Sequence, residues 1–244
     1  PSIVDSYLNF MLTKKISVMI LAAGYGKRLR PITKKIPKPL LKIGGITLLQ
    51  NILDQVLKLN CDEIIINTHY QHEMIYDFIK NKYAKENIFI SYEKELLDTG
   101  GGVKNALHLF KNNEALILNS DIFWRQENFQ DIKKLIKNFR SEQRCKLLLV
   151  SKERAHGVYN DKADFIINDD LISRYKPNHN EYFYSGAQII SLDILKEYYQ
   201  KKFSLNIVWD ELIHQKLIFG DVMQSHWYHV GSIKGLNEAK NLVT

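Results

Sequence analysis

Apolar residues follow two rhythms along this chain. The first is short unbroken runs: "SVMILAA" (17–23), "CDEIIINTH" (61–69), "NIFISYE" (87–93), "ALILNSD" (115–121) and "CKLLLVSK" (145–152). Such runs, bounded by turn formers, mark strands buried on both faces. The second rhythm is a three-to-four spacing. Leu48, Leu49, Ile52, Leu53, Val56 and Leu59 recur this way, which predicts an amphipathic helix over 47–59 capped by Thr47. "HEMIYDFIKNKY" and "NFQDIKKLIKNFRSE" repeat the helical spacing. Strand–helix alternation of this kind predicts the α/β class: a doubly wound, mostly parallel sheet with helices on both faces.

The rhythm changes after about residue 152. "ADFIINDDLISRYK" places a two-acid turn between strand-like runs and predicts a hairpin. "EYFYSGAQIIS" predicts a strand, followed by helices at 191–201 and 205–218, a strand in "DVMQSHWYHVG" and a closing helix in "IKGLNEAKNLV". No repeat or linker interrupts the chain, so 16–244 is expected to be a single domain. Residues 1–15 are expected to be a leader or an appended segment, with Met11 a candidate initiator.

The chain has 244 residues, 45% of them apolar and 25% charged, in the ordinary globular range. No apolar stretch approaches the roughly 18–20 residues needed to span a bilayer, so no membrane partner is expected. The two cysteines, Cys61 and Cys145, form no CxxC pair, and no secretory signal precedes the first strand; the cytoplasm is expected. The net charge of +7 suits anionic partners. The basic residues are spread out rather than clustered among aromatics, which argues against nucleic acid.

The sharpest local signal is "LAAGYGKRLRPITKKIPKPLL", which leaves the first predicted strand. Gly24 and Gly26 let backbone approach a ligand, and Lys27, Arg28 and Arg30 add positive charge where phosphates would sit. A dinucleotide fingerprint fails because Leu29 stands where its third glycine belongs, and a Walker A loop fails because Arg28 follows Gly26-Lys27. A basic surface turn remains the plain alternative.

The run "AGYGKRLRPIT" followed by "PKPL" resembles the signature of the sugar-1-phosphate nucleotidyltransferases over some twenty residues. The resemblance implies a Rossmann-like fold of the nucleotide-diphospho-sugar transferase type. It places the nucleotide-binding part at about 16–150 and the sugar-binding part at about 151–244. It implies that Leu21, Ala22, Ala23, Gly24, Gly26, Lys27 and Arg28 hold the nucleotide and its triphosphate, and that Lys38 lies between the two substrates' phosphates. Asn67, with Asp98, Thr99, Gly100 and Gly101 of "LLDTGGGVKNAL", is expected near the nucleoside, with Leu97 beside them and Glu95 in support. The three glycines are expected just before a helix.

In "LNSDIFW" the resemblance makes Asp121 the ligand of Mg²⁺, with Mn²⁺ or Co²⁺ as alternatives, and makes Arg28, Lys38 and Asp121 the catalytic set. Asn119, Ser185, Gly186 and Asn206 are expected on the sugar side, with Tyr184 as an addition and Trp209 and Asp210 as supports. Ser185 and Gly186 read equally well as part of a half-buried strand. Where the family carries a second metal-binding aspartate, this chain has His229 in "SHWYHVGS". Imidazole suits Mn²⁺, Co²⁺ or Zn²⁺ better than Mg²⁺. His229 is therefore a ligand of a softer ion, a phosphate contact or a packed side chain. His69 and His72 have ligand spacing but no third partner in sequence. The implied reaction joins an NTP, UTP favoured, to a sugar 1-phosphate with release of pyrophosphate. N-acetylmuramate 1-phosphate is the favoured sugar, in cell-wall recycling, and mannose 1-phosphate with a guanine nucleotide is the alternative. A monomer or homodimer is expected. A nucleotide-binding regulator without catalysis is the rival from another class.

Overall fold

Nine strands hydrogen-bond into one sheet in the computed structural model, which describes residues 15–140, 142–158, 162–177 and 179–242. Residues 1–14 of the expected leader lie outside the described residues. In chain order the elements are β1 (Ile16–Leu21), β2 (Lys42–Ile43), β3 (Ile46–Thr47), α1 (Leu48–Val56), β4 (Cys61–Thr68), α2 (His72–Lys82), β5 (Ile88–Tyr92), α3 (Asp98–Asn105), β6 (Glu114–Asn119), α4 (Gln126–Asn138) and β7 (Cys145–Ser151). There follow β8 (Ala155–His156), β9 (Phe165–Asn168), β10 (Leu171–Arg174), β11 (Tyr182–Ser191), α5 (Leu205–Gln215), β12 (Ile218–Val222), β13 (Trp227–Tyr228) and α6 (Ile233–Asn241).

The sheet order is β5-β4-β1-β6-β11-β7-β12-β10-β9. The first four strands are parallel, and β11 is antiparallel to both β6 and β7. Alternate residues of each central strand feed opposite faces. Val18 and Ile20 pack with α1, α2 and α4, whereas Met19 packs with α3 and α5. A third apolar cluster joins Leu29, Leu41, Ile43 and Leu48 to Phe123, Tyr228, Val230, Leu236 and Ala239. It seats the basic loop after β1 on the C-terminal helix.

Local chemistry explains several boundaries. Thr47 caps α1 by accepting a hydrogen bond from the Gln50 N–H. Asp169 and Asp170 both take positive φ, 46° and 69°, in the two-residue β9–β10 turn. Such turns match the strand twist, and aspartate tolerates the conformation.

Four expectations need correction. The glycines Gly100, Gly101 and Gly102 lie inside α3, not before it. The helix expected at 191–201 is a 3-10 turn, Leu192–Glu197. The helix expected at 205–218 ends at Gln215 on Lys216, which takes positive φ, and a strand begins at Ile218. "DVMQSHWYHVG" does not form one strand; β12 and β13 lie on either side of Met223–His226, where the Asn128 side chain donates to the His226 carbonyl and the Asp131 carboxylate accepts from the Ser225 N–H and hydroxyl.

Candidate active site

The parallel strands end together, with Leu21 of β1 abreast of Asn67 on β4 and Asn119 on β6. Open α/β sheets bind ligands beyond such carboxyl ends. A cleft of ≈ 440 Å³ opens there. It brings together Leu21, Ala22, Ala23, Gly24, Lys38, Asn67, Asp98, Thr99, Asn119 and Asp121 from segments far apart in sequence. Leu96, Ser120 and Lys202 also line it.

Lys38 and Asp121 face each other across this cleft, Nζ to Oδ2 at 2.8 Å. Lys38 opens a 3-10 turn between Pro37 and Pro39, and the prolines restrict the backbone on both sides of it. Nε2 of His229 lies 3.4 Å from the same Oδ2. Burial works against ionisation of Asp121, yet Lys38 and His229 hold its carboxyl well below the usual range. Its other oxygen, Oδ1, is buried and has no hydrogen-bond partner among the described residues.

That orphaned acceptor fits a divalent cation, which binds through one or two carboxylates together with substrate phosphates and water. His229 is held by packing: its ring stacks on Trp227 at 5.5 Å and 8°, and a Cβ on Gly231 would come 2.1 Å from it. His226 bonds to His156 instead, at 3.0 Å, so the two histidines do not converge. No group of three or more His, Cys, Asp or Glu among the described residues is placed to hold a metal. His69 and His72 have different partners, the Glu93 carbonyl beyond β5 for His69 and the Thr68 hydroxyl for His72.

The Asn67 side of the cleft rests on a polar network whose acid sequence reading took to be Glu95. Glu95 is exposed, whereas Glu93 is buried. Glu93 Oε1 accepts from Asn67 Nδ2 at 2.7 Å, and Oε2 accepts from the Leu97 N–H at 3.0 Å. Burial raises its pKa, against the pull of these two hydrogen bonds. Asn67 in turn accepts the Ala22 N–H through Oδ1 at 2.8 Å. One carboxylate thus sets both the end of β1 and the 96–99 loop.

The Gly24–Arg28 loop is tied to the same region. His69 Nδ1 faces the Glu93 carbonyl, which only accepts, so Nδ1 carries the proton. In the neutral ring Nε2 then accepts from the Tyr25 hydroxyl, 3.0 Å away. Gly26 has φ +62°, and a Cβ there would sit 2.9 Å from Thr33, so glycine is required. Gly26, Lys27 and Arg28 do not line the cleft; Lys27 and Arg28 are exposed beside its mouth.

Gly100 and Gly101 turn away from the cleft. A Cβ on Gly100 would lie 2.4 Å from the Phe203 ring, and one on Gly101 2.3 Å from the Lys201 carbonyl oxygen. The Gly101 N–H donates to the Phe203 carbonyl, and the Phe203 N–H to the Leu97 carbonyl. The glycines therefore admit the 198–204 segment against α3. That segment carries Lys202 into the cleft and leads Ser204 and Asn206 to a second, adjoining cleft of ≈ 320 Å³.

The second cleft shares Leu21, Asp98, Thr99 and Asn119 with the first and adds Asp164, Arg174, Tyr184, Gln188, Asn206 and Trp209. Trp209 is both core and lining: its Nε1 donates to Gln188 Oε1 at 3.0 Å. Ser185 and Gly186 do not line it. They form a bulge where β11 shifts register, with Ser185 fully buried and Gly186 at φ +85° against Asn119. Sequence reading missed Asp164, Arg174, Gln188 and Lys202. None stands in a local pattern that marks it, because folding alone brings them to this edge.

The chain belongs to the nucleotidyl transferase family, whose profile matches residues 17–244. Its activity is of the sugar-1-phosphate nucleotidyltransferase class. It is 27% identical over 219 residues to the N-acetylmuramate alpha-1-phosphate uridylyltransferase of Caulobacter vibrioides, covering 87% of this chain and 90% of that one. It is 31% identical over 196 residues to the D-glycero-alpha-D-manno-heptose 1-phosphate guanylyltransferase of Campylobacter jejuni, covering 78% and 82%. The fold matches that of the inositol-1-phosphate CTP transferase from T. maritima with a TM-score of 0.75 at 13% identity, over 94% of this chain and 96% of that one.

Proposed function

We propose that the protein transfers uridylyl from UTP to N-acetylmuramate 1-phosphate, releasing pyrophosphate, in the cytoplasmic recycling of cell-wall sugars. The observation that carries the chemistry is the Lys38–Asp121 pair at the carboxyl edge of the parallel strands. The likeness to the Caulobacter protein over nine-tenths of its length supports the choice of substrates. The 31% identity to a heptose 1-phosphate guanylyltransferase favours a second reading, a guanine nucleotide with a neutral sugar.

An oxygen of the sugar 1-phosphate attacks the α-phosphorus in line, and the bond to pyrophosphate breaks. Such transfer depends on positioning and charge stabilisation. Two anions must meet, and Lys38 lowers their repulsion from the position between them. The amides at Gly24 and Gly26, with Lys27 and Arg28, receive the β- and γ-phosphates. Asn67, Asp98 and Thr99 face the nucleoside, while Asn119 and Asn206 face the sugar. Asp121 Oδ1 would hold a divalent ion, Mg²⁺ or a softer one with His229 nearby; bound there, it supplies positive charge at the α-phosphate.

Pyrophosphate release, measured over four NTPs and a panel of sugar 1-phosphates, tests the substrates. Lys38→Ala should lower turnover by about 10²–10³-fold with circular dichroism unchanged. Wild-type turnover in that variant would remove Lys38 from the mechanism. Absence of pyrophosphate release by the wild type with every NTP and sugar on the panel would favour the regulatory reading.

A further inference from the structure

The second cleft holds one guanidinium, and it is fixed before any ligand arrives. Arg174 ends β10. Its Nε donates to Asp210 Oδ1 at 2.6 Å, and Nη2 donates to the Asn206 carbonyl at 3.2 Å and to Asn206 Oδ1 at 3.0 Å. Its central carbon lies 4.8 Å from the centre of the Phe165 ring and 5.9 Å from Trp209. Cation–π contacts with two aromatic rings and three hydrogen bonds thus hold the fork in place.

An arginine has five N–H donors, and these contacts leave Nη1 without an acceptor among the described residues. Asp210 does not cancel the charge: the two side chains are 36% and 56% exposed, so water screens the pair and its main effect is orientation. Besides the Tyr184 phenol, the other ionisable residues lining this cleft, Asp98 and Asp164, are carboxylic acids. They suit sugar hydroxyl or amide donors and repel a second anion. Among the residues lining this second cleft, a negative substituent on the sugar therefore finds its cation in Arg174.

We propose that Arg174 reads a carboxylate on the sugar and so selects an acidic sugar 1-phosphate over its neutral counterpart. The inference rests on the acidic-sugar reading given above. N-acetylmuramate differs from N-acetylglucosamine by one lactyl ether bearing a carboxylate, so the two sugars isolate the feature at issue. Planar, paired recognition of carboxylates is what a preorganised guanidinium does better than an ammonium.

The test is kcat/KM for N-acetylmuramate 1-phosphate and N-acetylglucosamine 1-phosphate, in wild type, Arg174→Gln and Arg174→Lys, with the best nucleotide from the NTP panel. Wild type should prefer the acidic sugar. In Arg174→Gln the acidic-to-neutral ratio should fall at least about tenfold, the scale of one charged hydrogen bond, mainly through KM for the sugar. Arg174→Lys, which keeps the charge without the fork, should fall between, and it serves alone if the Gln variant fails to fold. A merely structural role would depress both sugars together and leave the ratio unmoved. If the wild-type preference persists in the variants, Arg174 is not the reader, while the acidic-sugar reading stands. If the wild type prefers the neutral sugar, the acidic-sugar reading itself falls.

Discussion

Asp121 shares one oxygen between Lys38 and His229, and its other oxygen has no hydrogen-bond partner among the described residues. Lys38 at 2.8 Å is the stronger claim on Oδ2, with His229 at 3.4 Å in reserve. The carboxyl is held well below its ordinary range in the fold, so the unfolded chain binds its proton more readily. The pair's contribution to stability is thus present above an unfolded carboxylate pKa of about 4, and is lost only as pH falls through the lower folded value. Where the resembled family carries an acid, His229 supplies a softer donor or none. His229→Asp should shift metal preference toward Mg²⁺, lowering the ratio of Mg²⁺ to Mn²⁺ activation constants about tenfold. Titration of each ion against turnover measures it; an unmoved ratio would mean that residue 229 does not reach the ion.

Three consecutive glycines weaken a helix in isolation, each by about 1 kcal/mol relative to alanine. In α3 Gly100 and Gly101 are the condition for docking the 198–204 segment, and Gly102 for the close approach of Asn67 and Glu93. Gly101→Ala should therefore run against propensity and destabilise the protein by about 1–3 kcal/mol, because the new methyl meets the Lys201 carbonyl oxygen, which cannot swing aside. Thermal melting checks this, with a fall of roughly 2–4 °C per kcal/mol expected; a midpoint at or above wild type would refute it. The glycines also show where sequence reading stops. Buried strands, the Thr47 cap and the two-acid turn were legible because neighbours in the chain decide them. "DTGGGVKN" was misread because its reasons lie in other segments of the fold, in Lys201 and Phe203 about a hundred residues on and in Asn67 and Glu93. Glu93 was passed over for Glu95 because burial, which separates the two acids, is a property of the fold. Of the site, the Gly24 loop, Lys38 and Asp121 were legible as a signature, whereas Arg174 and Lys202 enter through tertiary contacts alone.

One sheet runs from β5 at one edge through β11 to the β9–β10 hairpin at the other. No break in hydrogen bonding separates the two halves, so they should unfold together. Melting curves from near-ultraviolet and far-ultraviolet circular dichroism are expected to coincide; two resolved midpoints would mean that the halves are separate units. The net charge of +7 serves the whole molecule as an attractive field for two polyanionic substrates. The third apolar cluster has a consequence for biosynthesis. Leu29, in the basic loop after β1, rests on Tyr228, Val230, Leu236 and Ala239, which lie some two hundred residues further along the chain and leave the ribosome that much later. Chains fold from the N-terminus as they emerge. The basic loop thus waits for its floor until some two hundred further residues have been made, and a nascent chain carries the loop's sequence well before it can hold the loop's shape.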